Sequence, residues 1–172
     1  MCDPDPLRPG PHGDETRCGK PREALRLIGQ AEDALSGGED DGNASRPEWF
    51  DWFSPARLAS FKGNTQLKAG HLPQARQTLL QVLEGLPDEA RKQRTVVLGD
   101  LAAVEAADGN PEAACARADE ALDQLSVTWY ATGMERIRDV RGSLEKWADH
   151  ECVRRLDDRL YGWRTTLIAL QR

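Results

Sequence analysis

Residues able to ligate a metal or move protons are few and scattered. Histidine stands at 12, 71 and 150, and cysteine at 2, 18, 115 and 152. Zinc sites legible in sequence pair their ligands at short intervals, and a nucleophilic triad needs a histidine oriented between nucleophile and acid. His12 lies in a proline-rich start, His71 at an expected helix corner and His150 at an expected helix start. None shares a helical face with a Cys, an Asp and a second His. Cys2, His12 and Cys18, even with His150 and Cys152 added, match no ligand spacing, so no metal site is expected. A Gly-rich phosphate loop and a nucleophile elbow are also missing from the sequence. The expectation is a protein that is not an enzyme and carries no cofactor. Cys115 and Cys152 stand among helix-forming residues and read as small buried apolar groups.

The elements that would position any site are set by proline. Pro4, Pro6, Pro9, Pro11 and Pro21 crowd the first 21 positions, where fixed φ and lost donors oppose regular structure. Residues 1–20 therefore read as a disordered tail, and 21–172 as one helical domain. Pro47, Pro55, Pro73, Pro87 and Pro111 each precede an apolar-periodic stretch and read as helix starts. Ala24, Ile28, Ala31 and Leu35 share a face over 22–36, and Ala75, Leu79, Val82 and Leu86 share one over 73–86. Asn110, Pro111 and Glu112 supply an N-cap, a preset φ and a first-turn acid for a helix over 111–125. Asp149 is the expected cap of a last helix, and Ser54 that of the helix after Pro55. No stretch alternates with period 2, so the fold class is all-α, with about six helices.

Composition narrows the function classes. The 172 residues carry a formal charge of −6, with 18 Arg against five Lys and 21 Ala, a skew typical of GC-rich coding sequence. Basic residues are dispersed in an acidic chain, which disfavours direct binding to nucleic acid. No apolar run approaches the roughly 20 residues of a membrane span, nor the ~7–15 residues of a secretory signal core. A cytoplasmic protein with reduced thiols is the expectation.

Self-similarity is the strongest pattern. Setting 68–83 beside 106–122 places Gly70 on Gly109, Ala75 on Ala114, Leu79 on Ala118 and Val82 on Ala121, an offset of 39. Each copy reads as a helix, a glycine break and a second helix, which is an antiparallel hairpin. Gly63 opposite Ala75, and Ala102 opposite Ala114, are small enough for close backbone approach. The segment 21–35 reads as the second helix of an earlier unit.

The stretch from Gly63 to Pro87 resembles a tetratricopeptide repeat: Gly63, Asn64, Gly70, Leu72, Ala75, Leu79, Val82 and Pro87 fall on that motif's positions. The second unit matches through Ala102, Gly109, Ala114, Ala118 and Ala121, with Ser126 where the closing proline would be. The wording of WFSPARLASFKGNTQLKAG, VVLGDLAAVEAADGN, TWYATGMERIRDVR and ECVRRLDDRLYGWRTTLIAL further resembles the C-terminal region of actinobacterial, particularly streptomycete, helix-turn-helix transcriptional regulators, without their DNA-reading domain. The resemblance implies a right-handed stack of antiparallel helix pairs. It also implies a sensing or assembly half of a regulator that binds a protein or peptide, or alternatively a free-standing scaffold with no role in transcription.

By the same resemblance the groove-lining residues of the first full unit are Arg57, Ser60, Asn64 and Lys68. Their counterparts Val96, Gly99, Ala103, Ala106 and Ala107 form a smooth apolar wall, better suited to a helix or hydrophobic peptide than to a carboxylate clamp. Two patterns remain open between readings. Trp49, Phe50, Trp52 and Phe53 crowd five positions, either as a partner patch led by Trp49 and Trp52 or as an anchor for their own loop. Val153, Leu156, Leu160, Trp163, Leu167 and Leu170 form a narrow stripe, which would either dimerise the protein or cap the end of the stack.

Overall fold

The computed structural model describes residues 20–37 and 54–170; of 34–37 and 164–170 it describes the backbone. The expected tail over 1–20, apart from Lys20, and the Trp49 and Trp52 patch lie outside the described residues. Seven α-helices and no strand occur among those described: α1 Pro21–Gly37, α2 Pro55–Lys68, α3 Leu72–Gly85, α4 Arg91–Ala107, α5 Pro111–Val127, α6 Ala131–Ser143 and α7 Glu151–Leu170. A single 3-10 turn, Glu145–Trp147, links α6 to α7. None of the described helices is long and apolar enough to cross a membrane. The chain divides into two compact units, Met1–Val82 and Leu83–Arg172.

In the first unit α1 turns Ala24 and Ile28 inward and packs on α2. Lys62 on α2 reaches Glu32 on α1 at 2.7 Å. The start of α2 follows its sequence signals: Ser54 Oγ accepts the Arg57 N–H at 3.2 Å, and Pro55 occupies the first helical position. Hairpin α2–α3 closes on Leu79. A Cβ on Gly63 would lie 2.6 Å from Leu79 Cγ, so the residue that needs the glycine is Leu79 and not the expected Ala75.

The second unit is a larger cluster built on the α4–α5 hairpin, with α6 packed on both helices and α7 packed on α5 and α6. Leu98, Ala102, Leu122, Leu125, Met134, Ile137, Val140, Leu144, Val153 and Leu156 form its core. Two glycines permit the α4–α6 approach. A Cβ on Gly133 would fall 2.5 Å from Thr95 Cγ2, and one on Gly99 would meet Arg136 Cβ at 3.0 Å. Beside this contact Asp100, nearly fully buried, pairs with Arg136 at 2.7 Å.

The two helix corners match bond for bond. Gly70 and Gly109 have φ of 78° and 87°, the left-handed conformation that suits glycine. Gly70 N–H donates to the Leu67 carbonyl at 3.0 Å and His71 N–H to the Gln66 carbonyl at 2.9 Å. Gly109 donates to Ala106 at 3.2 Å and Asn110 to Glu105 at 2.9 Å. Both are Schellman closures, which satisfy carbonyls that the helix end leaves open. The offset of 39 seen in the sequence thus holds in backbone geometry.

Three local expectations are corrected. Asn110 precedes α5, but its side chain makes no cap bond; its Nδ2 turns back to Glu105 and Asp108 at 3.4 Å each. Helix α7 begins after His150 and not after Asp149, with the His150 carbonyl accepting from Arg154 at 3.0 Å. Pro87 starts no helix: its carbonyl closes a turn onto Ala90 N–H at 3.0 Å, and α4 begins at Arg91.

Candidate functional site

Helix α2 carries the residues that the resemblance assigns to a groove. Leu58, Gly63, Thr65 and Gln66 turn inward, which leaves Arg57, Asn64 and Lys68 on the outward side at helical spacing. Arg57 and Lys68 are exposed and Asn64 half-buried. Ser60 is less available than its position suggests, because its hydroxyl donates to the Ala56 carbonyl at 2.8 Å. Sequence reasoning missed the centre of this stripe. Phe61 follows Arg57 by four positions and precedes Asn64 by three, and the residue is 51% exposed. The signal was present in the 57-61-64-68 spacing, but the search for polar groups passed over it.

The corresponding face of α4 does not form the smooth open wall expected of Val96, Gly99, Ala103, Ala106 and Ala107. Gly99 is covered by Arg136 of α6, Ala106 is buried, and Ala103 packs against the core cluster. Only Ala107 is exposed, with Val96 half-buried. The physical reason is that α6 closes on α4 at the two glycines.

On α7, Val153 and Leu156 are fully buried in the core of the second unit, and Leu160 and Trp163 are half-buried against it. Leu167 and Leu170 lie on the same helix, beyond the described side chains. The Trp163 ring meets that of Trp129 with centroids 5.6 Å apart, inclined at 31°. Ion pairs flank the stripe: Arg141 of α6 forks onto Asp157 at 2.5 and 2.9 Å, and Arg159 reaches Asp119 at 2.9 Å and Asp123 at 2.7 Å on α5. These partners hold both guanidinium groups above their ordinary values. Burial opposes that rise at Arg159, where it is the largest influence.

Two further features were invisible in sequence. A cleft of about 170 Å³, lined by Leu83, Arg94, Leu98, Glu120, Asp123 and Gln124, lies in the second unit. It is smaller than the ~300–1,000 Å³ of ordinary ligand pockets. Separately, the first turn of α5 lies beside the start of α7, and this brings Glu112, His150 and Cys152 together with donor atoms all within 4.8 Å of one another. Glu112 Oε1 is 3.6 Å from His150 Nδ1. Behind them Cys115 is buried beside Cys152; burial first, and its interaction with Cys152 second, push its thiol up to about 12.

No protein-family model matches this chain, no curated protein matches it, and no solved structure matches it.

Proposed function

We propose that this chain is a non-enzymatic interaction module, a right-handed tetratricopeptide-type stack of helix pairs in which α7 caps the end, and that it captures a protein or peptide segment on the outward face of α2. The resemblance to the repeat half of helix-turn-helix regulators supports a sensing or assembly role. The matched Schellman corners at Gly70 and Gly109 support the repeat reading. The observation that carries the binding surface is Phe61, an exposed ring set between Arg57 and the Asn64 and Lys68 pair. An apolar anchor with a polar, basic rim is the anatomy of a small recognition surface. It suits an amphipathic segment whose apolar residue covers Phe61 and whose acidic residues face Arg57 and Lys68.

The test is a comparative pull-down from native lysate with wild type, Phe61→Ala and Arg57→Ala/Asn64→Ala. Proteins retained by wild type and lost by both variants, with circular dichroism and melting unchanged, are the expected result. Equal recovery by all three refutes the α2 surface. The nucleotide sequence upstream of Met1 separates the two roles: an in-frame helix-turn-helix favours the regulator, and a stop codon the free-standing scaffold.

A further inference from the structure

The Glu112, His150 and Cys152 cluster combines three different metal-ligating chemistries from two helices far apart in sequence. Its spacing can be compared with the edges of a tetrahedral site. Zinc bonds of about 2.0–2.3 Å to oxygen, nitrogen and sulfur imply ligand-to-ligand edges of roughly 3.3–3.7 Å. The Glu112 Oε1 to His150 Nδ1 distance of 3.6 Å already falls in that range. The remaining donors lie within 4.8 Å, so at most about 1 Å of closure is needed. Exposure leaves room for it. Cys152 is buried in the first turn of α7, whereas the side chains of Glu112 and His150 are 75% and 49% exposed and not enclosed by packing. Charge also balances, since a carboxylate and a thiolate neutralise a divalent cation while a neutral imidazole completes the set.

We propose that Glu112, His150 and Cys152 form a surface zinc site that fastens the start of α7 to the first turn of α5. The mixed sulfur, nitrogen and oxygen set suits zinc rather than calcium or magnesium, which take oxygen ligands. Three protein ligands leave the fourth position to water. Cys115 lies behind the site, buried in the same cluster as Cys152, and packs the sulfur side of the site. Binding exchanges no electrons: the Cys152 thiol proton passes to solvent as the sulfur–metal bond forms.

The test uses the full chain carrying Cys2→Ser and Cys18→Ser, which removes the other thiols, titrated with Co(II) and in competition with Zn(II). One Co(II) per chain, a thiolate-to-cobalt charge-transfer band and tetrahedral visible bands, all displaced by Zn(II), are expected. Cys152→Ser should abolish the charge-transfer band. His150→Ala and Glu112→Ala, both at exposed positions where folding is preserved, should each weaken binding by about a hundredfold. Cys115→Ala should keep the band and loosen binding by only about tenfold. Absence of stoichiometric binding in the parent, or affinity unchanged by His150→Ala and Glu112→Ala, overturns the site whatever Cys152→Ser does to folding.

Discussion

The hairpins α2–α3 and α4–α5 share a backbone corner and differ in what fills the space above it. In the first, glycine at 63 lies against leucine at 79; in the second, the positions 39 further on hold Ala102 and Ala118, both fully buried. A bulky side chain lies against a bare backbone in one hairpin and two methyl groups stand at the matching positions of the other, so the same corner is kept with different side chains. The two hairpins therefore share the backbone hydrogen bonding of their corner, while the side chains that fill the space differ in both position and volume.

The largest expected effect breaks the contact of the first hairpin. Leu79→Ala should cost about 2–5 kcal/mol by opening a cavity. Gly63→Ala alone should cost about 1–3 kcal/mol through overpacking against Leu79. Together they convert the first hairpin to the pattern of the second, so the double variant should lose less than the sum in a denaturant double-mutant cycle. Strict additivity would show that the two residues do not share space.

Next comes the closure that exists only in the second unit. Arg136→Leu keeps the stem that covers Gly99 but strips the nearly buried Asp100 of its guanidinium, at an expected cost of about 3 kcal/mol by urea unfolding. Adding Asp100→Asn should restore much of that loss; no recovery would mean that packing, and not charge, holds α4 to α6.

Cys115 should give the second unit an alkaline weakness. Its folded pKa is raised from 9.0 to about 12, so between those values the unfolded chain releases the thiol proton while the folded chain retains it. Stability contributed by the neutral thiol is fully present below pH 9.0 and falls as pH rises toward about 12. The slope approaches about 1.4 kcal/mol per pH unit while this group alone titrates. Measured with chelator present, Cys115→Ala should flatten the difference in stability between pH 9 and 11 relative to wild type.

The smallest effect tests the shared part. Gly70→Ala and Gly109→Ala each force a side chain into positive φ, and each should cost about 1 kcal/mol. Their melting shifts should match if the corners are energetically as well as geometrically alike.

Much of the helix plan was legible because its signals are local. Ser54 and Pro55 start α2, and Gly70 and Gly109 end helices through a conformation that most other residues resist. Local signals failed where a side chain had a better offer elsewhere. Asn110 prefers Glu105 and Asp108 to capping α5, and His150 takes the position expected of Asp149. The candidate surface was half legible: the repeat resemblance named Arg57, Asn64 and Lys68, whereas Phe61 emerged only once burial distinguished an outward side chain from a core one.

By itself the sequence determined the all-helical class, the glycine corners at Gly70 and Gly109 and the 39-residue offset, since periodicity, proline and glycine act within a few residues along the chain. Tertiary structure alone decided that Gly99 and Gly133 let α6 close on α4, that Asp100 is buried with Arg136, and that Glu112 meets His150 and Cys152. Those outcomes depend on which helix faces which, and that choice is made by packing between residues tens of positions apart.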